Sequence, residues 1–533
     1  MSNRIGGALR RSWATALLQP GGLLLAAILV LALAAFVQPM FDPDFWWQLR
    51  VGLHIVAHGV PEHNFYTYTA AGHVFITQEW GTEALFAVLF PRGGMLPILL
   101  LFGLVTWVGF VVGILRAHRP GIPMGVLAVG AALWVLSSLQ IWGPRSQTFT
   151  FTLAAVLVWL LDHHRRRGGR VIWWTVPLIA AWGNLHGGFI FGLGVFLVVV
   201  GGEAIANRLP QDGPVVVVAA RVPWPRWRAR AAALLLAALA AMVNPNGPAV
   251  YRYPLELLSS HVAQSVLQEW QSPDFHSHAM WPLLVLIVTT LLVAARAQRT
   301  ALTDWLLAGA GLTLALYAVR NVPLFGLLVL PLWADGAAGW AAVLRPPRIR
   351  APAPAAARTR RARGAAAVAV LALVALVTAA RMVVAVRSPE NAPTGSAYPN
   401  QIARLLCHGP RARVLAPYGA SGWLLYRLDP HQSGGRGCTP DRLFVFGEVN
   451  VMGPEALRAY LTAVAGGPRA LRVLARTRTT VVWQPSGAPL AWELAGDRGW
   501  RCILADPAGL VYASAATAGR WHTPARARAG CPG

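Results

Sequence analysis

Apolar runs of about 15–20 residues, most of them free of charge, recur along this chain. They fall near 21–40, 95–115, 121–142, 148–162, 171–185, 188–206, 231–244, 281–295, 303–319, 322–343 and 364–386. A run of about 20 such residues is the length an α-helix needs to cross the hydrocarbon core of a bilayer. In that solvent every backbone N–H and C=O has to be satisfied internally, which the helix does within one segment. Some runs are nearer 15 residues, and those at 171–185 and 231–244 read as short or partly re-entrant. About ten or eleven spans are therefore expected. Composition agrees, because 56% of the 533 residues are apolar and only 13% are charged, where soluble chains carry about 25%. The expected fold class is an α-helical polytopic membrane protein.

The basic residues give the expected orientation. All 46 are arginine, and the net charge is +25. They cluster in short loops between apolar runs, as orientation signals do, rather than along one face that could track nucleic acid. Arg4, Arg10 and Arg11 precede the first run and place the N-terminus in the cytoplasm. Alternation then puts Arg116, Arg119, Arg165–Arg167, Arg221, Arg226, Arg228, Arg296, Arg299 and the cluster from Arg345 to Arg363 on that same side. The first run shows no convincing cleavage site, so it reads as a span and not a removable leader. The stretch 345–363, rich in Pro, Ala and Arg, reads as a linker.

Residues 387–533 have a different composition. Mixed polarity, strand-like VVWQP and GLVYAS and helix-like GPEALRAYLTAVA point to a small α/β domain outside the cytoplasm. All four cysteines, Cys407, Cys438, Cys502 and Cys531, lie there, which suggests disulfides in an oxidising space. Three pairings are open; a Cys407–Cys438 link closes a short loop at little entropic cost. The expected division is 1–386 for the membrane domain and 387–533 for the extracytoplasmic one.

The stretch 41–94, FDPDFWWQLRVGLHIVAHGVPEHNFYTYTAAGHVFITQEWGTEALF onward, is longer than a connector requires. Asp42 and Asp44 stand where the first span ends. Two carboxylates at that spacing can share a proton or a divalent cation, or act as base and supporting acceptor. They can equally cap the following helix. Residues 45–58 read as a helix lying on the membrane surface, 65–77 alternate like a hairpin turning at 70–72, and Glu79 and Trp80 open a second surface helix. Arg50, Arg92, Arg145, Arg252 and Arg320 sit singly at the outer ends of spans, where cations are not expected. Each alone is consistent with snorkelling to headgroups, and together they make an anion-binding set. Gln147 in PRSQ, Asn184 and His186 in WGNLHGG, and Asn244 in NPNG add polar groups at the same ends. Asn and Gly there also make ordinary turns. No Cys/His spacing indicates a metal.

The segments FDPDFWWQLRVG, QEWGTEALF, PRSQTFT, WGNLHGGF, NPNG and, more faintly, YGASGWLLYRLDP make the chain resemble the GT-C superfamily of membrane glycosyltransferases. That group includes protein mannosyltransferases and the lipid A aminoarabinose transferase. The resemblance covers most of 1–345. Members usually carry an adjacent acidic pair after the first span, whereas here Pro43 separates Asp42 from Asp44. The resemblance implies a bacterial inner-membrane enzyme that inverts a sugar from a polyprenyl-phosphate donor onto a glycan, lipid or protein acceptor at the outer face. Asp44 would be the general base, with Asp42 or Glu79 orienting the acceptor. Arg50, Arg145, Gln147, Asn184, His186, Asn244 and Arg320 would bind the donor. No cofactor is implied beyond the optional cation at Asp42 and Asp44, and no Gly-rich loop suggests a nucleotide sugar. A transporter of lipid-linked glycan, or a scaffold for envelope polysaccharide assembly, is the alternative.

The orientation is directly testable. A reporter fused after residue 400 should behave as exported and one after residue 355 as cytoplasmic; the reverse result would invert the span map.

Overall fold

In a computed structural model of the chain, residues 19–40, 42–210, 214–344, 356–395, 397–429, 438, 442–523 and 528–532 are described. Arg4, Arg10, Arg11 and the 345–355 part of the basic linker lie outside these residues. Every apolar run of the sequence coincides with a helix. Leu96–Ala117, Met124–Ile141, Phe189–Arg208, Val319–Leu344 and Val368–Val386 are long and apolar enough to cross a bilayer. Pro20–Phe36, His278–Ala294 and Leu302–Tyr317 are shorter apolar helices. The run at 171–185 becomes a 3-10 turn followed by helix Thr175–Leu185, and the run at 231–244 belongs to helix Trp224–Ala240. The chain is a multi-pass, predominantly helical membrane protein.

The helices and the sheet fall into two compact units. The first contains residues 1–38, 99–244 and 268–386, the second 39–98, 245–267 and 387–533. The loop 41–94 thus belongs to the same unit as the C-terminal segment, which the division at 386/387 did not anticipate.

In the first unit a buried aromatic group forms the core. Phe110 stacks on Phe36 at 4.8 Å and meets Trp134 at 4.2 Å and Phe151 at 4.9 Å. The Trp134 indole N–H donates to the Pro323 carbonyl at 2.8 Å, as a buried indole requires. Ion pairs tie the basic helix ends together. Arg116 and Arg119 both bind Asp304, at 2.7 and 3.0 Å, and Arg165 and Arg166 both bind Asp162, at 2.5 Å each. Glu203 and Arg230 pair at 2.9 Å with both side chains 0% exposed. Removing one member of such a pair strands a buried charge, which costs about 3–5 kcal/mol.

The second unit holds a five-stranded sheet in the order β2-β1-β3-β5-β4. Its strands are β1 (Arg413–Leu415), β2 (Arg442–Leu443), β3 (Val481–Gln484), β4 (Trp500–Asp506) and β5 (Gly509–Ser514). β1 runs parallel to β2 and β3, while β5 is antiparallel to β3 and β4. The alternation at 65–77 does not yield a regular hairpin. A single antiparallel bridge joins His63 to Val74, and Thr67 bridges Leu443 of β2 in parallel. The Tyr68 N–H donates to the Leu443 carbonyl at 3.1 Å, so the loop reaches the sheet edge, while within the loop the Asn64 N–H donates to the His73 carbonyl and the Phe75 N–H to the Glu62 carbonyl, both at 2.8 Å. The Asn64 amide closes the turn by donating to Thr67 Oγ1 at 2.7 Å and to the Ala70 carbonyl at 2.9 Å.

Cys407 is joined to Cys438, and Cys502 to Cys531. Peptide mapping without reductant should recover both cross-links, and loss of either bridge should cost the second unit about 2–4 kcal/mol. Four free thiols in protein taken from its native membrane would contradict the oxidising compartment.

Candidate functional site

The carboxylates of the first loop are set on two helices, Asp44–His58 and Trp80–Gly93. These cross closely because Gly52 has no side chain: a Cβ there would lie 1.9 Å from the Glu83 carbonyl oxygen. At the start of the first helix, Asp42 Oδ1 accepts the Asp44 N–H at 2.9 Å and so satisfies one of the orphan donors of the first turn. The capping role therefore falls to Asp42. Asp44 is the first helical residue, and its Oδ1 accepts the Trp47 indole N–H at 2.9 Å. Gly447 brings the C-terminal segment against this pair, since a Cβ there would stand 2.2 Å from both Asp44 Oδ1 and Trp47 Nε1.

Glu79 precedes the second helix. Its Oε1 accepts the Gln48 amide at 2.7 Å, and both side chains are buried. Two further carboxyls act on it electrostatically. Burial pushes Glu83 well above the usual carboxyl range, the Glu79 charge adds to the effect, and a hydrogen bond from Thr77 Oγ1 at 2.9 Å opposes it. Glu448 is likewise raised well above its ordinary value by burial, then by Glu79 and Asp44, against hydrogen bonds from Asn450 and Tyr253. Burial and neighbouring carboxylates thus make Glu83 and Glu448 harder to ionise than ordinary carboxyls, a perturbation typical of functional sites. The Asn246 amide of NPNG donates to the Thr77 carbonyl at 2.8 Å and steadies the same loop.

Arg50 stands on the same helix as Asp44, but its guanidinium pairs with Asp429 at 2.9 Å and lies over the Tyr66 ring. Arg252 pairs with Glu256 four residues on, at 2.5 Å.

In the first unit, Arg145 and Arg320 converge on one carboxylate. Glu269 Oε2 lies 2.7 Å from Arg145 Nη2 and Oε1 lies 2.7 Å from Arg320 Nη1. Burial would raise Glu269, but Arg145 and then Arg320 outweigh it and hold the carboxyl down at about 2. The Trp270 ring lies beneath Arg320 at 4.9 Å, and Gln147 donates to the Arg320 carbonyl at 3.0 Å, fixing the backbone that presents it. His186 Nδ1 accepts the Gly188 N–H at 3.0 Å and sits 2.7 Å from Thr150 Oγ1, which in turn takes the Trp182 indole N–H. Burial, with the charges of Arg320 and Arg145 adding and that of Glu269 opposing, pushes this imidazole down to about 3. His186 is therefore neutral, with Nδ1 as acceptor and the proton on Nε2. Asn184 and Asn244 have structural partners. Asn184 donates to the Ala180 and Val243 carbonyls, and Asn244 to the Gly183 carbonyl and Asn184 Oδ1.

The sequence reading missed Glu269, Glu83, Glu448 and Asp429. Glu83 had a signal, lying four residues from Glu79 and hence on the same helical face. Glu269 had a weaker one, an acidic residue beside Trp in a chain with only 21 Asp and Glu. Nothing in the sequence singled out Glu448. Among the described residues no group of three or more His, Cys, Asp or Glu is arranged to hold a metal ion.

The raised carboxyl of Glu83 predicts a pH dependence. An acid whose folded value lies above its unfolded value of about 4.3 supports the fold fully below that pH. The contribution is lost as pH climbs towards the folded value. Glu83→Gln keeps an acceptor for Thr77 and abolishes the titration, so its melting temperature should fall less than that of the wild type between pH 4.3 and neutrality. Parallel curves would mean that Glu83 is ionised in the native protein.

No protein-family model matches the sequence, and no curated protein matches it either. Solved structures do. The archaeal oligosaccharyltransferase AglB from Archaeoglobus fulgidus, in complex with an inhibitory peptide and a dolichol-phosphate, superposes with a TM-score of 0.50 at 10% identity, over 93% of this chain and 74% of its own. ArnT from Cupriavidus metallidurans, bound to undecaprenyl phosphate, gives 0.47 at 14% identity, over 92% and 97%. Over 93% of its length, this chain shares the fold of the oligosaccharyltransferase AglB.

Proposed function

We propose that the protein is a membrane glycosyltransferase that moves a sugar from a polyprenyl-phosphate donor to an acceptor at the outer face of the bacterial inner membrane. The observation that carries the reading is the convergence of Arg145 and Arg320 on a single oxyanion, with neutral His186 close enough to be polarised by both arginines. Two guanidinium groups drawn to one pair of oxygens make a binding element for phosphate. The oligosaccharyltransferase of the same fold holds a dolichol-phosphate, a lipid phosphate of this kind.

In this reading Asp44 takes the proton of the acceptor hydroxyl as its oxygen attacks the anomeric carbon. The bond from that carbon to the phosphate oxygen breaks, with inversion. The electron pair leaves on the lipid phosphate, whose growing charge Arg145 and Arg320 stabilise by charge-assisted hydrogen bonds. Glu79, held by Gln48, orients the acceptor, and Asp42 fixes the first turn that presents Asp44. No divalent cation is required by this scheme.

Full-length protein in lipid nanodiscs, given radiolabelled polyprenyl-phosphate sugar and membrane extract as acceptor source, tests it. Asp44→Asn should lower transfer by about 10²–10⁴-fold while donor binding persists. Asp42→Asn should be nearly silent, because Asn caps about as well as Asp. Arg145→Ala should weaken donor binding. Full transfer by Asp44→Asn would end the general-base assignment, and donor transport without transfer by the wild type would favour a flippase.

A further inference from the structure

The charges of the first unit divide into two kinds. Glu203 and Arg230 are wholly buried, with side chains 0% exposed, and act as a fixed lock between helices. The trio Arg145, Glu269 and Arg320 is different, with side chains 25%, 21% and 16% exposed. The side chains are partly exposed, although Glu269 Oε2 itself is buried in its pairing with Arg145. Both arginines stand at helix ends, Arg145 just before helix Gln147–Arg167 and Arg320 just before helix Val322–Leu344, and Gln147 braces the latter's backbone. Glu269 comes from a single 3-10 turn, Gln268–Trp270, within the connection between helices Trp224–Ala240 and Trp281–Ala294. Arg320 likewise lies in a 3-10 turn, Val319–Asn321, so all three charges are presented from connections beside the helices.

We propose that Glu269 is the resident occupant of an oxyanion site formed by Arg145 and Arg320, and that a phosphate-bearing ligand binds there by taking its place. The inference rests on the donor-phosphate reading of these two arginines. The chemistry of exchange is balanced. A carboxylate and a phosphate each present paired oxygens to guanidinium forks. A phosphodiester bears one negative charge, as the carboxylate does, so the substitution leaves the site's net charge unchanged. Two arginines so close together would repel one another if left without an anion, and Glu269 removes that cost in the unliganded protein. His186, whose imidazole feels the charges of Arg320, Glu269 and Arg145, is held below its ordinary range and adds no third positive charge. After transfer the phosphate becomes a monoester, which can carry one more negative charge than the donor, and Glu269 remains beside it as the competing anion.

An intramolecular competitor lowers apparent affinity in proportion to the time it occupies the site. The test measures binding of polyprenyl phosphate to the full chain in nanodiscs, with polyprenol and inorganic phosphate as parallel probes. Glu269→Gln should tighten polyprenyl phosphate binding, on the order of tenfold, and leave polyprenol binding unchanged. Glu269→Asp keeps the charge but is one methylene too short to bridge both arginines, so it should tighten binding to a smaller extent. It also serves if the Gln variant fails to reach the wild-type melting temperature. Tightening for inorganic phosphate as well would assign the site to the phosphate group itself, and tightening for polyprenyl phosphate alone would assign it to a lipid headgroup; both support the exchange. Weaker binding in both Glu269 variants would overturn it and make Glu269 a residue that orients the arginines. Wild-type binding indifferent to Arg145→Ala and Arg320→Ala would instead overturn the donor-phosphate reading beneath it.

Discussion

A hydrocarbon solvent leaves a polypeptide little freedom. Its backbone polar groups must pair with one another, and its charges must pair or stay at the surface. Both consequences run through this protein. Its apolar stretches are helices throughout, and within the first unit the charged side chains gather at helix ends. At the basic ends, Asp304, Asp162 and Glu203 each answer at least one arginine. Those contacts join helices Leu96–Ala117 and Leu302–Tyr317, and Phe189–Arg208 and Trp224–Ala240, at depths where a lone charge could not stay. Polar chemistry is therefore confined to helix ends and to the long loop, where water and substrate can reach it.

Within the second unit the constraint is proximity of like charge. Asp44, Glu79, Glu83 and Glu448 influence one another electrostatically, and burial raises Glu83 and Glu448 well above the ordinary carboxyl range. Two glycines make the arrangement possible. Gly52 lets the two loop helices touch, and Gly447 lets the C-terminal segment reach Asp44. A side chain at either position would push apart the elements that carry the carboxyls, so the geometry is written as much in absent atoms as in present ones.

What the sequence made legible follows from the range over which each signal acts. Hydropathy is a statement about solvent, read locally, and every apolar run became a helix. The helices Asp44–His58 and Trp80–Gly93 were likewise readable from contiguous residues. The hairpin at 65–77 was half right, because alternation records that a segment is extended and not which edge it pairs with; Thr67 chose β2. Arg50 and Arg145 looked alike as lone outer cations. What separates them is their counter-ions, Asp429 and Glu269, each more than a hundred residues away in the chain. Glu448 carried no local mark at all, and its place beside Asp44 follows from the packing of Gly447.

In the proposed reading, the pairing of Arg145 and Arg320 through Glu269 meets a general problem of handling anionic lipids. A site strong enough to stabilise a departing phosphate needs concentrated positive charge in a poorly solvated place. The same charge destabilises the empty protein and retains the product. Water answers the first difficulty only in part, since a half-buried guanidinium pair cannot be fully hydrated. A carboxylate on the same chain answers both: it neutralises the pair when no substrate is present, and it is always at hand to compete when the product must leave. Its affinity has to lie between that of the phosphodiester, which must displace it, and full occupancy, which would close the site. All three side chains are partly exposed, which distinguishes Glu269 from the fully buried Glu203.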